Sequence, residues 1–150
     1  MPTSTLLFAL LLLISFSVAF SGFPTAYELL ESYDFPQGLL PEGVESYLLQ
    51  SDGSFDVYFG WECEFKVQDS YLLRYKRRIS GTLEAGRLKD LKGVSVRFLF
   101  VWLGITEVVR MDDELRFYVG PISASFPVTS FVDCPMCRCG FDCGTAELPA

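Results

Sequence analysis

Gly93-Val94-Ser95-Val96-Arg97-Phe98-Leu99-Phe100-Val101-Trp102-Leu103-Gly104-Ile105-Thr106-Glu107-Val108-Val109-Arg110 is the most apolar stretch of the chain outside its first twenty residues. Successive side chains of an extended strand point to opposite faces. Val94, Val96, Phe98, Phe100 and Trp102 are therefore predicted to share one face, and that face is core. The other face begins polar at Ser95 and Arg97 and turns apolar at Leu99, Val101 and Leu103. A strand that is apolar on both sides needs a second cover, either another part of the fold or a ligand. Gly104 is expected to bend or bulge the strand, after which Ile105 to Arg110 leads to the acidic turn Met111-Asp112-Asp113-Glu114.

The flanking segments alternate in the same way. Phe55, Val57 and Phe59 face inward against Ser54, Asp56 and Tyr58; Trp61, Cys63, Phe65 and Val67 oppose Glu62, Glu64 and Lys66. Tyr71, Leu73 and Tyr75 oppose Leu72, Arg74, Lys76 and Arg78, and Leu115, Phe117 and Val119 form a return strand. One core is expected from Val96, Phe98, Phe100, Trp102, Phe55, Val57, Cys63, Phe65, Leu73 and Phe117. Before these strands, Thr25 and Glu28 carry the spacing of a capping box for a short helix whose Tyr27, Leu30 and Tyr33 form one stripe. The loop from Asp34 to Val44 comes next, with two prolines and two glycines that neither helix nor central strand tolerates. Short strands, turn residues between them and one helix predict an all-β fold, a small antiparallel β-barrel or pseudobarrel with one short N-terminal helix. Closure is favoured because it removes free strand edges. The helix stripe is the expected cover for Leu99 to Leu103.

The chain has 150 residues, half of them hydrophobic, which suits a single domain. Leu6 to Phe20 is an unbroken run of apolar and small residues ending at Ser21-Gly22-Phe23-Pro24. It is too short to span a bilayer, and small residues stand where a signal peptidase cuts, after Ala19 or Ser21. The predicted organisation is a signal peptide at 1–21, a β-barrel domain at 22–133 and a Cys-rich tail at 134–150, secreted and with no transmembrane segment after cleavage.

Eight basic residues and two acidic ones lie between Arg74 and Arg97, a local +6 that leaves −13 elsewhere in a chain of net charge −7. That balance argues against nucleic acid as a partner. No histidine occurs, so Ser-His-Asp and Cys-His mechanisms are excluded, as is an imidazole metal ligand. Paired carboxylates remain, with Asp34 and Glu42 flanking the loop as the better suspects; Glu62, Glu64 and the turn Asp112-Asp113-Glu114 read as solvated surface. Cys134, Cys137, Cys139 and Cys143 pack four thiols into ten residues, and Cys63 is a fifth on an inward face. In an oxidising compartment disulfides are expected rather than zinc. One thiol of the five is left over, and a Cys137 to Cys139 bridge is disfavoured by geometry.

Several separated segments resemble a plant family known as domain of unknown function 538. These are Tyr33-Asp34-Phe35-Pro36-Gln37-Gly38-Leu39-Leu40-Pro41-Glu42-Gly43-Val44, Ile79-Ser80-Gly81, Leu88 to Val96, Leu99-Phe100-Val101-Trp102, Val119-Gly120 with Ser123-Ala124-Ser125-Phe126-Pro127, and the cysteine-rich tail. The resemblance runs from about Pro24 to Cys143. It implies a β-rich pseudobarrel with an N-terminal helix, likened to the lipid-binding domains of bactericidal permeability-increasing proteins, and no established catalytic residues. Esterase-type activities on pectin or chlorophyll have been proposed for members.

The functional expectation is a secreted, monomeric binding module for an amphipathic or anionic ligand, a lipid-like molecule or a cell-wall polyuronate, with no cofactor and no metal. Arg74, Lys76, Arg78 and Arg97 would supply a cationic rim beside an apolar strip of Leu99, Val101 and Leu103. The alternative is a secreted esterase-like hydrolase acting on pectin or a related ester. The plain reading of the same residues is that the aromatics fill a small barrel and the basic block is a solvated face.

Overall fold

Thr25 opens the first element as its spacing predicts. Its hydroxyl accepts from the Glu28 N–H at 3.1 Å while its own N–H donates to the Glu28 carboxylate at 3.1 Å, starting helix α1 (Ala26–Ser32). The computed structural model describes residues 22–68, 70–141 and 143. The predicted leader at 1–21 and the end of the predicted tail lie outside the described residues.

The strands are β1 (Val44–Leu49), β2 (Ser54–Phe59), β3 (Cys63–Val67), β4 (Tyr71–Glu84), β5 (Arg87–Phe98), β6 (Val101–Gly104), β7 (Glu107–Met111), β8 (Glu114–Val119) and β9 (Ile122–Pro127). All pair antiparallel, in the order β1-β2-β4-β5-β7-β8-β9, with β3 also on β4 and β6 also on β5. The long hairpin of β4 and β5 is shared by two half-sheets. The first half of β4 pairs with β3 and its second half with β2; β5 pairs with β7 at one end and β6 at the other. The hairpin bends where its register shifts between Tyr75 and Ser80. Gly93 makes the bend possible, because at φ +98° a Cβ there would stand 2.4 Å from the Arg78 carbonyl oxygen.

The inward faces of β2, β3, the first part of β4 and β8 follow the predicted alternation: Val57, Phe59, Cys63, Phe65, Val67, Leu73, Tyr75, Leu115 and Phe117 are buried. Phe55 is only half-buried. The sheet is not closed by backbone pairing, since β1 and β9 end the strand order among the described residues. Side chains bridge the opening between the β3–β4 pair and the β8–β9 pair. Tyr71 meets Phe126 at 5.5 Å, and Phe65, Phe141, Phe131 and Phe117 succeed one another at ring spacings of 5.7 to 6.0 Å. The barrel is thus a pseudobarrel, hydrogen-bonded around most of its circumference and aromatic along one seam.

The stretch from Gly93 to Arg110 departs most from expectation. It is two strands rather than one, reversing at Leu99-Phe100 so that Phe98 pairs with Val101, Arg97 with Trp102 and Val96 with Leu103. A two-residue turn restarts the alternation, and the predicted faces beyond it invert. Leu103 joins Val96 and Phe98 on the inner face, while Trp102 joins Arg97 outside. Phe98 and Phe100 are not core: they are 48% and 87% exposed.

The helix does not cover this hairpin either. α1 packs at the far end of the sheet, where Ala26, Leu29 and Leu30 face Leu88, Leu91 and Val108 across a cavity of about 60 Å³. Its C-terminal end is tied to the β4–β5 turn by the Gly86 N–H donating to the Tyr33 carbonyl at 2.8 Å.

Candidate functional site

A second cavity, of about 160 Å³, lies between the β5–β6 hairpin and the aromatic seam. Val96, Phe98 and Leu103 form one wall, Ile122, Ala124 and Phe126 the opposite wall, and Phe117 with Phe131 the base. Strand alternation places the strand residues on the inner face, Phe131 comes from the helical turn Val128–Phe131, and the lining is almost wholly apolar. An apolar cavity of about 150 Å³ stays dry and accepts a benzene-sized guest. Here the room matches one aromatic ring or a short run of methylenes. The mouth is apolar too: Leu99 is 76% exposed, Val101 59% and Ile122 53%.

The predicted ligand residues divide between this cavity and the outer surface. Leu103 lines the cavity; Val101 and Leu99 stand at its rim and on the turn. Arg97 is exposed on the outer face of β5, opposite Leu72 on one side and Trp102 on the other. Arg74 lies in the next row, paired with Glu64 at 2.7 Å, its guanidinium 3.9 Å above the Trp102 ring. Arg78 pairs with Asp56 at 2.8 Å, and this hydrogen-bonded carboxylate raises the guanidinium pKa. Lys76 is exposed at the bend. Arg74 and Arg78 are thus engaged by carboxylates, and of the four basic residues Arg97, next to Phe98, stands nearest the mouth.

The carboxylates suspected in the loop are apart in role. Asp34 is exposed at φ +67°, with its carbonyl accepting from the Arg110 guanidinium at 2.9 Å. Glu42 is exposed, and its N–H donates to the Pro135 carbonyl at 2.8 Å. Core residues lie between them. Phe35, Leu39, Leu40 and Pro41 are buried, and the Tyr75 hydroxyl donates to the Leu39 carbonyl at 2.6 Å. Burial of that phenol raises its pKa. At Gly38 a Cβ would stand 2.3 Å from the carbonyl oxygens of Phe131 and Asp133. The loop is a plug that clamps α1, β4 and the tail together.

Cys63 is bonded to Cys137 and Cys139 to Cys143, which leaves Cys134 as the free thiol. Burial, with Glu42 and Asp133 nearby, pushes its pKa up, so the neutral thiol persists at pH 7.

Residues 26–132 match the family described as Protein of unknown function, DUF538. The chain belongs to that family. The segments that carry the DUF538 resemblance form the plug, the bent hairpin, the apolar turn and the seam. A stretch of 94 residues is 28% identical to an uncharacterized protein of Arabidopsis thaliana, covering 62% of this chain and 55% of that relative. No solved structure matches. No helix among the described residues is long and apolar enough to cross a membrane.

Proposed function

We propose that this DUF538 protein is a secreted binding module for an amphipathic, lipid-like ligand. The observation that carries the reading is the 160 Å³ apolar cavity with an apolar mouth. Concave, apolar, preformed space beside a few polar groups is the usual form of a small-molecule site. Leu103 and Phe98 would contact the apolar part of the ligand, and Leu99 and Val101 would border the entrance. Arg97 would meet an anionic head at the rim, with Arg74, Lys76 and Arg78 as a more distant positive field. The two disulfides suit an oxidising compartment.

The test uses dansylated undecanoic acid below its micelle-forming concentration. Saturable binding with enhanced emission is expected from the parent. Ala124→Phe, which fills the cavity from the β9 wall, is expected to weaken that binding about tenfold or more, consistent with excluding a few methylenes at about 0.8 kcal/mol each. Equal binding by the variant would refute the cavity site. Saturable binding of polygalacturonate without binding of the fatty acid would favour an anionic polysaccharide. Turnover of methyl-esterified pectin by the pure protein would favour the hydrolase.

A further inference from the structure

The turn joining β5 and β6 is built against the ordinary chemistry of turns. Two-residue hairpin turns favour Asn, Asp and Gly, which accept positive φ and solvate well. This one holds Leu99 at φ +57° and leaves Leu99 and Phe100 76% and 87% exposed. Ile122, at the β8–β9 turn, borders the same cavity as Phe98 and is 53% exposed. Two neighbouring turns at one end of the molecule thus present bulky apolar tips that no described residue covers.

Charge distinguishes this end from the other. Lys66, Leu72, Arg97 and Trp102 form one row across β3, β4, β5 and β6 on the outer face. Lys66 and Arg97 make no ion pair with another described residue. Between β3 and β4 the sequence holds one acid, Asp69. The opposite end gathers the acidic turns. Asp52 precedes Gly53, whose carbonyl accepts from the Leu83 N–H at 2.8 Å, and Glu84 comes directly after Leu83. Asp112, Asp113 and Glu114 form the β7–β8 turn, reached through Arg110, whose N–H donates to the Gly86 carbonyl at 2.9 Å. Lys89 and Arg87 neutralise Glu84 and Glu107 at 2.7 and 2.6 Å, whereas Asp52, Asp112, Asp113 and Glu114 make no ion pair with a described residue, so the helix end stays acidic while the hairpin end is apolar with cations.

We infer that the Phe98–Val101 tip, with Ile122 beside it, docks this protein on the surface of an anionic lipid bilayer. A convex apolar tip enters acyl chains, while Arg97 and Lys66, set back on the outer face, remain at headgroup level, where anionic lipids attract them. Trp102 under the Arg74 guanidinium supplies the amphipathic aromatic that favours this zone. An anionic surface repels the acidic end and orients the tip downward. The inference extends the ligand reading and depends on it only for the step after docking, when the cavity mouth faces the bilayer from which a lipid-like ligand would be drawn.

The experiment monitors tip insertion directly. Phe100→Trp is mixed with vesicles of phosphatidylcholine containing phosphatidylglycerol, with and without brominated acyl chains. The emission of the added tryptophan, taken as variant minus parent, is expected to shift to the blue and to be quenched by the brominated chains, less so as salt rises. Leu99→Gly/Phe100→Ser, a turn that relieves the positive φ, is expected to reduce vesicle co-flotation about tenfold or more by removing two insertable side chains. Phe100→Ser alone, which leaves the lining and mouth residues of the cavity in place, is expected to weaken flotation in the same direction while keeping parental binding of dansylated undecanoic acid. An unshifted Phe100→Trp emission would overturn the proposal, as would parental flotation of the double variant. For Phe100→Ser, loss of flotation together with loss of the fatty-acid probe would also overturn it, because the cavity rather than the tip would then be responsible. A parental dimer dissolved by the double variant, without vesicle binding, would overturn it in favour of a second copy of the chain at the tip. Tip insertion with no fatty-acid binding would support docking while removing the cavity reading.

Discussion

Leu99 occupies a backbone conformation, φ +57°, that side chains other than glycine rarely take. In the left-handed region a Cβ crowds the following carbonyl at about 1–2 kcal/mol per residue. At 76% exposure the side chain recovers little of this by burial. Leu99→Gly is therefore expected to raise stability by about 0.5–1 kcal/mol, the relief of crowding less the extra unfolded-state entropy of glycine. Denaturant titration measures it, and a loss of stability would mean that Leu99 packs against something when the chain is folded in solution. A residue that is strained, exposed and apolar together is poorly explained by the needs of folding. A contact surface explains all three properties.

At the scale of elements, the same residue explains where periodicity misled. Alternation identified the inner faces of β2, β3, early β4 and β8, because each is one strand with one buried side. It failed over Gly93 to Arg110 because the turn at Leu99-Phe100 carries none of the residues that announce a turn, so two short apolar strands read as one. The predicted faces were right up to Phe98, though that side chain is 48% exposed, and inverted after the turn. Leu103, singled out in the sequence, lines the cavity, whereas Ala124, Ile122 and Phe126, which line it too, were not legible. Their strand β9, Ile-Ser-Ala-Ser-Phe-Pro, is rich in small and polar residues and shows little strand character on its own. The loop from Asp34 to Val44 was legible as ordered, but its role as a plug appears only in its contacts. Gly38 tests that role. Its Cβ would meet the carbonyl oxygens of Phe131 and Asp133 at 2.3 Å, and both are backbone atoms that cannot swing aside. Gly38→Ala is expected to destabilise by about 1–3 kcal/mol, the range for overpacking. A thermal midpoint equal to the parent's would show that the plug and the 131–133 segment move freely against each other.

For the whole molecule, the decisive feature is a barrel left open in its hydrogen bonding and closed by side chains and a disulfide. The seam consists of Tyr71 with Phe126, the ring series from Phe65 to Phe117, and the Cys63 to Cys137 bond that fixes the tail against β3. The two bonds differ in the length of chain they restrain. Cys63 to Cys137 spans 74 residues and Cys139 to Cys143 spans 4. By loop-closure entropy the first contributes about 4 kcal/mol and the second about 2 kcal/mol. Paired Cys→Ser replacement avoids leaving an unpartnered thiol and separates the two. Loss of the long bond is expected to lower stability about twice as much as loss of the short one. It is also expected to weaken dansylated undecanoic acid binding, because Phe131 and Phe126 line both seam and cavity. The short bond closes a loop holding Phe141, which meets Phe131 but does not itself line the cavity, so its removal is expected to weaken probe binding less than loss of the long bond. Parental probe binding in both replacements would mean that the seam does not shape the cavity, and that the cavity owes its form to the β5–β6 hairpin and β9 alone.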